Sequence, residues 1–235
     1  MSDDQPKRRT AARRTSARTS APVSRARKRP RAKQAAGNPT RIEILKSAAG
    51  AFRRLGFHGA TVEEIAAVLG MKKGNLYYYF KTKEEILFAC HQYSLDRLLE
   101  VLEKVEQDDR PPDQKLRQLI VAFVHTILDD LHGTALFLDL EALTAAHLRQ
   151  AVARRDEFDR GVRRVIQQGV DWGTFAPHVD PKLVSFALLG AVNWIPRWYN
   201  PSGPSSSQEI ADRFAEYLVA GLRWSLERAE FAGLS

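Results

Sequence analysis

A chain of 235 residues with 44% hydrophobic and 27% charged side chains carries enough apolar surface for one or two packed domains. Its single cysteine, Cys90, excludes an internal disulfide, no apolar run reaches the ~18 to 20 residues of a membrane-spanning helix, and the amino terminus lacks a secretory apolar core, so a cytoplasmic protein without membrane contact is expected. The net charge of +8 is unevenly placed: residues 1–39 hold 12 Lys/Arg against 2 Asp, a net of +10, and the remainder is −2.

The amino-terminal stretch 1–38 combines Arg, Lys, Ala, Ser, Thr and Pro with few large apolar side chains. It cannot bury enough surface to offset the entropy of ordering, and it is expected to be a disordered basic arm. Such an arm next to a DNA-binding unit can lie along phosphates or enter the minor groove; the plainer reading is a solubilising tail. From Thr40, Ile42, Leu45, Ala48, Ala49, Phe52 and Leu55 recur at helical spacing up to Gly56, which predicts a scaffolding helix.

Signals then converge on 61–83, TVEEIAAVLGMKKGNLYYYFKTK. Thr61 with Glu64 three residues later forms a capping-box pattern, followed by Ile65, Ala66, Val68 and Leu69. Gly70 can close that helix in a left-handed conformation, with Met71 as an apolar plug. A second short helix follows, with Leu76, Tyr79 and Phe80 on one face and Lys73, Asn75, Tyr77 and Tyr78 on the other. That outward face is basic, amidic and phenolic, chemistry suited to a major groove: Asn can pair with adenine, and Tyr and Lys reach phosphates.

The pattern from Gly56-Phe57 through Thr61-Val62, Ile65-Ala66, Gly70-Met71, Lys73-Gly74-Asn75-Leu76-Tyr77, Tyr79-Phe80 and Lys83-Glu84-Glu85-Ile86 resembles the DNA-binding domain of TetR-type transcriptional repressors. The resemblance covers about Arg41 to Leu87. Asn75 stands where that family often carries Thr, Lys72 where it often carries Ser, and Tyr78 where His is frequent, which bears on the operator read rather than on the binding mode. The resemblance implies a helix-turn-helix domain over 39–87, a homodimer and a double-stranded DNA operator. The DNA-contacting set expected here is Thr61, Lys72, Lys73, Gly74, Asn75, Tyr77, Tyr78 and Lys83.

Lys83 to Gln107 reads as one long helix with Ile86, Leu87, Cys90, Tyr93, Leu98, Leu102 and Val105 on its apolar side, ending before Pro111-Pro112. It should join the reading head to a second, all-helical domain over 88–230, and the resemblance makes it a transmission helix. Cys90 reads as a buried small hydrophobe rather than a sensor thiol. Further helices are expected from Leu116 to Leu131, from Thr134 to about Ala146, from Leu148 to near Gly173, from Pro181 to about Asn200 and from Ile210 to Trp224. The last is apolar on a broad face, with Ala220 and Gly221 permitting close approach of a second copy.

Asn193 to Tyr199 is the unusual run of this domain, because Pro196 should end or kink its helix among three aromatics and Arg197. Trp plus Arg offers a stacking plane and a phosphate fork, suited to an acyl-coenzyme A effector. The run resembles the equivalent helix of TetR-type repressors of fatty-acid, steroid or aromatic-acid degradation; alternatively Trp194 and Trp198 anchor a dimer interface. The expected effector set is Asn193, Trp194, Arg197 and Trp198 at a mouth and Phe123 and Phe137 inside, with a repressor responding to a hydrophobic drug as the second reading.

No catalytic residue, metal site or cofactor is expected. Six scattered histidines give no ligand cluster, and no GxSxG elbow, Walker loop or paired-carboxylate spacing is present to arrange an enzyme's groups. An architectural protein using the basic arm would bind DNA without sequence preference, so competition by unrelated DNA separates it from a repressor.

Overall fold

Helix starts are set locally by side chains that accept the first free backbone N–H groups. The structure, a computed structural model, describes residues 40–130 and 140–223, all within one compact unit from Ala36 to Ser235. Reciprocal capping boxes open α1 (Arg41–Gly59, Thr40 with Glu43), α2 (Val62–Val68, Thr61 with Glu64) and, near the end, α8 (Ser207–Ala220, Ser206 with Glu209). Between them run α3 (Lys73–Tyr79), α4 (Lys83–Glu106, capped by Thr82), α5 (Pro112–His125), α6 (Ala145–Asp171, capped by Thr144) and α7 (Pro181–Trp194, capped by Asp180). The protein is all-α: among the described residues the only strand-like pairing is one bridge between Phe175 and Arg223.

Two cores form, and α4 belongs to both. Its first turns give Ile86, Leu87, Ala89 and Cys90 to the core of α1 to α3, and its later turns give Leu95, Leu98, Leu102 and Val105 to the core of α5 to α8. Leu143 and Ala151, at the start of α6, also belong to the first core. Farther along, α6 approaches α4 closely at Gly161, where a Cβ would lie 2.1 Å from Leu102 Cδ2. Cys90 is fully buried with its Sγ 3.6 Å from the Leu45 carbonyl, and burial pushes the thiol up to about 12.

Several expectations are corrected. Ile42 and Leu55 are 45% and 46% exposed, and Ile44 and Ala51 are buried in their place. Leu45, Ala48, Ala49 and Phe52 are buried as expected, and Gly56, at φ +69°, redirects the chain so that Phe57 turns inward. Val68 is likewise exposed, because α2 ends there and the turn through Leu69 and Gly70 leads away. The helix expected over 134–146 has no counterpart at 140–146: a 3-10 turn spans Leu140–Ala142, and Thr144 caps α6 by accepting from His147 N. After α5 the backbone widens into a π-turn at Thr126–Asp130. Near its end α7 stops at Trp194 and tightens into a 3-10 turn, Ile195–Arg197, because Pro196 has no N–H to continue the ladder. The basic arm 1–38, together with Leu136, Phe137 and Trp224, lies outside the described residues.

Candidate DNA-reading face and effector cavity

The reading head is built from caps and one turn. Glu64 Oε2 accepts from Thr61 N at 2.8 Å and from Thr61 Oγ1 at 2.9 Å, and Thr61 Oγ1 accepts from Glu64 N at 3.2 Å. The same backbone bond holds the Glu64 carboxyl below its ordinary range. Gly70, at φ +63°, closes α2, with Gly70 N donating to Ala67 O and Met71 N to Ala66 O, both at 3.0 Å. The chain then enters α3 with Leu76 fully buried and Lys72, Lys73, Gly74, Asn75, Tyr77 and Tyr78 exposed along one continuous surface. Tyr78 stands out farthest, at 82% exposure, braced edge-on against Tyr79.

Three of the expected contact residues have other partners. Lys73 pairs with Glu63 of α2 and lies over the Tyr77 ring, and the hydrogen bond to Glu63 raises its pKa. Both partners are exposed, so a phosphate can compete for this ammonium. Lys83 is different. Its Nζ donates to Phe57 O at 2.5 Å, Ala60 O at 2.9 Å and His58 O at 3.4 Å, and sits 4.4 Å from the Phe57 ring centroid. An ammonium has three protons, and these three carbonyls at the end of α1 occupy them. Lys83 fastens α4 to α1. Thr61 spends its hydroxyl on the α2 cap.

In the body, a cavity of about 270 Å³ opens among α4, α5, α6 and α7. Leu95, Leu98, Phe123, Phe158, Phe186 and Leu189 make it apolar, and Arg155, Asp156, Asp159 and Asn193 supply polar groups. Phe123 and Asn193 of the expected set are brought together here. Trp194, Arg197 and Trp198 are not among the lining residues. They form an exposed patch instead: the Arg197 guanidinium lies 4.4 Å from the Trp194 ring centroid, and Trp198 stacks on Phe214 of α8. Trp194 is the last residue of α7, one helical step round from Asn193, and Arg197 and Trp198 lie in and just after the 3-10 turn that follows. The Arg155, Asp156 and Asp159 wall is absent from the expected effector set; an apolar Phe158 among these charged residues was the available signal.

A second cleft, of about 440 Å³, separates head from body and is lined by Arg41, Phe80, Phe88, Tyr93 and His147 among others. At its edge α6 clasps α4. Glu84 Oε1 accepts from Thr144 N at 2.9 Å and from His147 Nδ1 at 2.8 Å, and the His147 ring stacks on Phe88 at 3.9 Å and 5°. Two turns on along α6, Arg154 pairs with Asp96 at 2.6 Å. One helix therefore grips the head with residues 144–151 and walls the cavity with residues 155–159. Among the described residues no helix is long and apolar enough to cross a membrane, and no cluster of three His, Cys, Asp or Glu could hold a metal ion.

A capped helix-turn-helix with an outward polar helix, carried on a helical body with its own cavity, defines a DNA-binding transcriptional regulator rather than an enzyme. The chain belongs to the tetR family of bacterial regulatory proteins, whose profile matches residues 44–90, and the tetracyclin repressor-like C-terminal domain matches residues 109–222. It is 29% identical over 189 residues to the HTH-type transcriptional repressor KstR2 of Mycolicibacterium smegmatis, covering 79% of this chain and 91% of that one. The crystal structure of the TetR-family regulator PfmR from Thermus thermophilus superposes with a TM-score of 0.68 at 30% identity, over 77% of this chain and 99% of that one. AibR, solved in complex with isovaleryl coenzyme A and operator DNA, superposes with a TM-score of 0.66 at 28% identity, over 78% and 98% of the two chains.

Proposed function

We propose that this regulator is a repressor that binds a near-palindromic operator as a homodimer and leaves it when a small effector fills the cavity among α4 to α7. The observation that carries the reading is the single exposed surface of Lys72, Lys73, Gly74, Asn75, Tyr77 and Tyr78 on a helix whose opposite face is anchored by Leu76. Each chain has one short reader, and a two-fold protein reads a two-fold site. Leu183, Trp194, Trp198 and Tyr217 leave apolar surface exposed on α7, α8 and the turn after α7, which supports pairing of two copies there. Trp194 and Trp198 serve that interface in this reading, rather than a pocket mouth.

The effector is proposed to carry an acyl group as a coenzyme A thioester, supported by the apolar cavity and by the likeness to AibR in complex with isovaleryl coenzyme A. Because α6 both walls the cavity and clasps the head, an effector that moves residues 155–159 also moves residues 144–151. It must bind the released state more tightly than the DNA-bound state, and a coupling of about 1 to 3 kcal/mol is the usual range. The basic arm is proposed to add phosphate contacts, each contributing roughly 0.9 to the slope of log K against log salt.

The test is to select operator DNA from a random-sequence pool with the full chain and to follow its release by acyl-coenzyme A thioesters, free acids and cationic drugs. Specific, two-fold DNA released by thioesters is the expected result. Release by drugs alone would transfer the assignment to a resistance regulator, and DNA bound without sequence preference would end the repressor reading.

A further inference from the structure

The stretch from Thr61 to Tyr79 holds two carboxylates, and they have different partners. Glu64 is committed to the start of α2, where Thr61 N and Thr61 Oγ1 donate to its Oε2. Glu63, the second residue of α2, pairs instead with Lys73, the first residue of α3. Both side chains are open to solvent, Glu63 at 57% and Lys73 at 46% exposure, and the Lys73 ammonium lies 5.6 Å from the Tyr77 ring centroid. The hydrogen bond from Lys73 holds the Glu63 carboxyl below its ordinary range, so it is an anion at neutral pH.

An exposed carboxylate is costly beside a surface that meets DNA. It repels the phosphates that supply sequence-independent affinity, and a phosphate that draws Lys73 away leaves Glu63 uncompensated. A backbone contact therefore satisfies one member of the pair at the expense of the other. Base edges differ. In a helix-turn-helix the first residues of the recognition helix contact the edges of bases in the major groove, and Lys73 with its partner stands at that end of α3. A carboxylate only accepts and an ammonium only donates. Across one G·C pair, guanine offers two acceptors, N7 and O6, beside the cytosine N4 amine, whose second N–H is free in the groove. An A·T pair places its adenine N6 donor between two separated acceptors, so an ammonium beside the carboxylate meets one acceptor rather than two.

We propose that Glu63 is a specificity-determining residue for the operator: it accepts from the N4 amine of a cytosine while Lys73 beside it donates to N7 and O6 of the paired guanine. The ion pair is then a preformed reader of one G·C pair in each half-site, and Glu63 extends onto α2 the contact surface that begins at Lys72. The inference rests on the reading of the α3 surface as operator-binding. It deepens that reading by naming the base pair that the first turn of α3 selects.

The test uses the full-length chain and DNA selected from a random-sequence pool, with affinities read by fluorescence anisotropy. The natural chain is expected to prefer one G·C pair in each half-site about tenfold over A·T, and Glu63→Ala to flatten that one preference to within about twofold while the other positions keep theirs. Loss of the anion also frees Lys73 for phosphates, so the same variant should bind unrelated DNA more tightly, with the slope of log K against log salt steeper by roughly 0.9. A second measurement leaves the protein unchanged. N4-methylcytosine at the selected position keeps the hydrogen that pairs with guanine and turns a methyl group into the groove in place of the free N–H. It should weaken binding by the natural chain about tenfold and binding by Glu63→Ala by less than about twofold. A G·C preference that survives Glu63→Ala, a selected site with no shared G·C pair, or indifference to N4-methylcytosine would each overturn the inference and leave the operator reading standing. A gain in affinity that is equal for every sequence would overturn it too, since Glu63 would then act only as a repulsive charge. Natural-chain selections with no sequence in common would remove the repressor reading itself, and this inference with it.

Discussion

Glu84→Ala should loosen the grip of α6 on the reading head without unmaking either core. The substitution deprives Thr144 N and His147 Nδ1 of the oxygen that they share at 2.9 and 2.8 Å. At a net loss of about 1 kcal/mol per hydrogen bond, the pair amounts to about 2 kcal/mol. For a chain of this size, that lowers Tm by roughly 4 to 8 °C. His147→Ala removes one of the same bonds and also the Phe88 stack, whose geometry is worth about 0.5 to 1.5 kcal/mol. Urea denaturation of both single variants and the double variant closes a thermodynamic cycle, and the Glu84–His147 interaction is expected near 1 kcal/mol. Effector-induced release of operator DNA, measured on Glu84→Ala by anisotropy, should weaken about tenfold, because α6 then loses its polar hold on the first turn of α4 and keeps only its apolar contacts with the head. Single-variant effects that add within about 0.3 kcal/mol would refute the clasp as an energetic link, and undiminished release would refute it as the route of coupling.

Lys83→Met should cost about 2 kcal/mol of stability by leaving the Phe57 and Ala60 carbonyls without their charged donor, read as a lowered urea midpoint at unchanged slope; a loss confined to DNA binding would place Lys83 in the contact set. Asn75→Ala and Tyr78→Ala should each weaken operator binding by about 1 to 3 kcal/mol with Tm unmoved, since both side chains are exposed, and an unchanged footprint would place them off the interface. The carboxyls of Glu43, Glu64 and Glu209 lie below their ordinary range, first because each accepts a backbone N–H at a cap. A depressed folded pKa gives stabilisation that is present above the unfolded value and lost as pH falls through the folded one. The stability difference between the natural chain and Glu64→Gln should therefore shrink between about pH 5 and pH 3, and a difference independent of pH would contradict the capping account.

The head was legible because its determinants are local. Thr61 and Glu64 are three residues apart, Gly70 marks its own conformation, and the split between Leu76 and Tyr77-Tyr78 follows from helical spacing alone. The bonds of Lys83 were not legible for the converse reason: its partners are carbonyls 23 to 26 residues away, and no spacing rule reports a backbone acceptor across a turn of the fold. The same limit hid the Glu84–His147 clasp, which joins residues 63 apart. In the run from Asn193 to Trp198, composition marked a segment but not its facing: Asn193 lines the cavity, Trp194, the next residue of the same helix, does not, and Arg197 and Trp198 lie in and after the 3-10 turn at Pro196, away from it.

The sealed thiol of Cys90 makes the natural chain a ready background for spectroscopic labels. It is the chain's one cysteine, fully buried, with its pKa raised to about 12, so near neutral pH almost none of it is the thiolate that reacts with maleimides or methanethiosulfonates. A second cysteine placed at an exposed site on the head, such as Arg53, would take a spin label while Cys90 stays silent. In a two-fold assembly each dimer then carries one symmetric pair of labels. Pulsed dipolar spectroscopy on that pair would report the separation of the two heads through their α1 helices, with and without effector, in a protein whose own sulfur chemistry needs no removal.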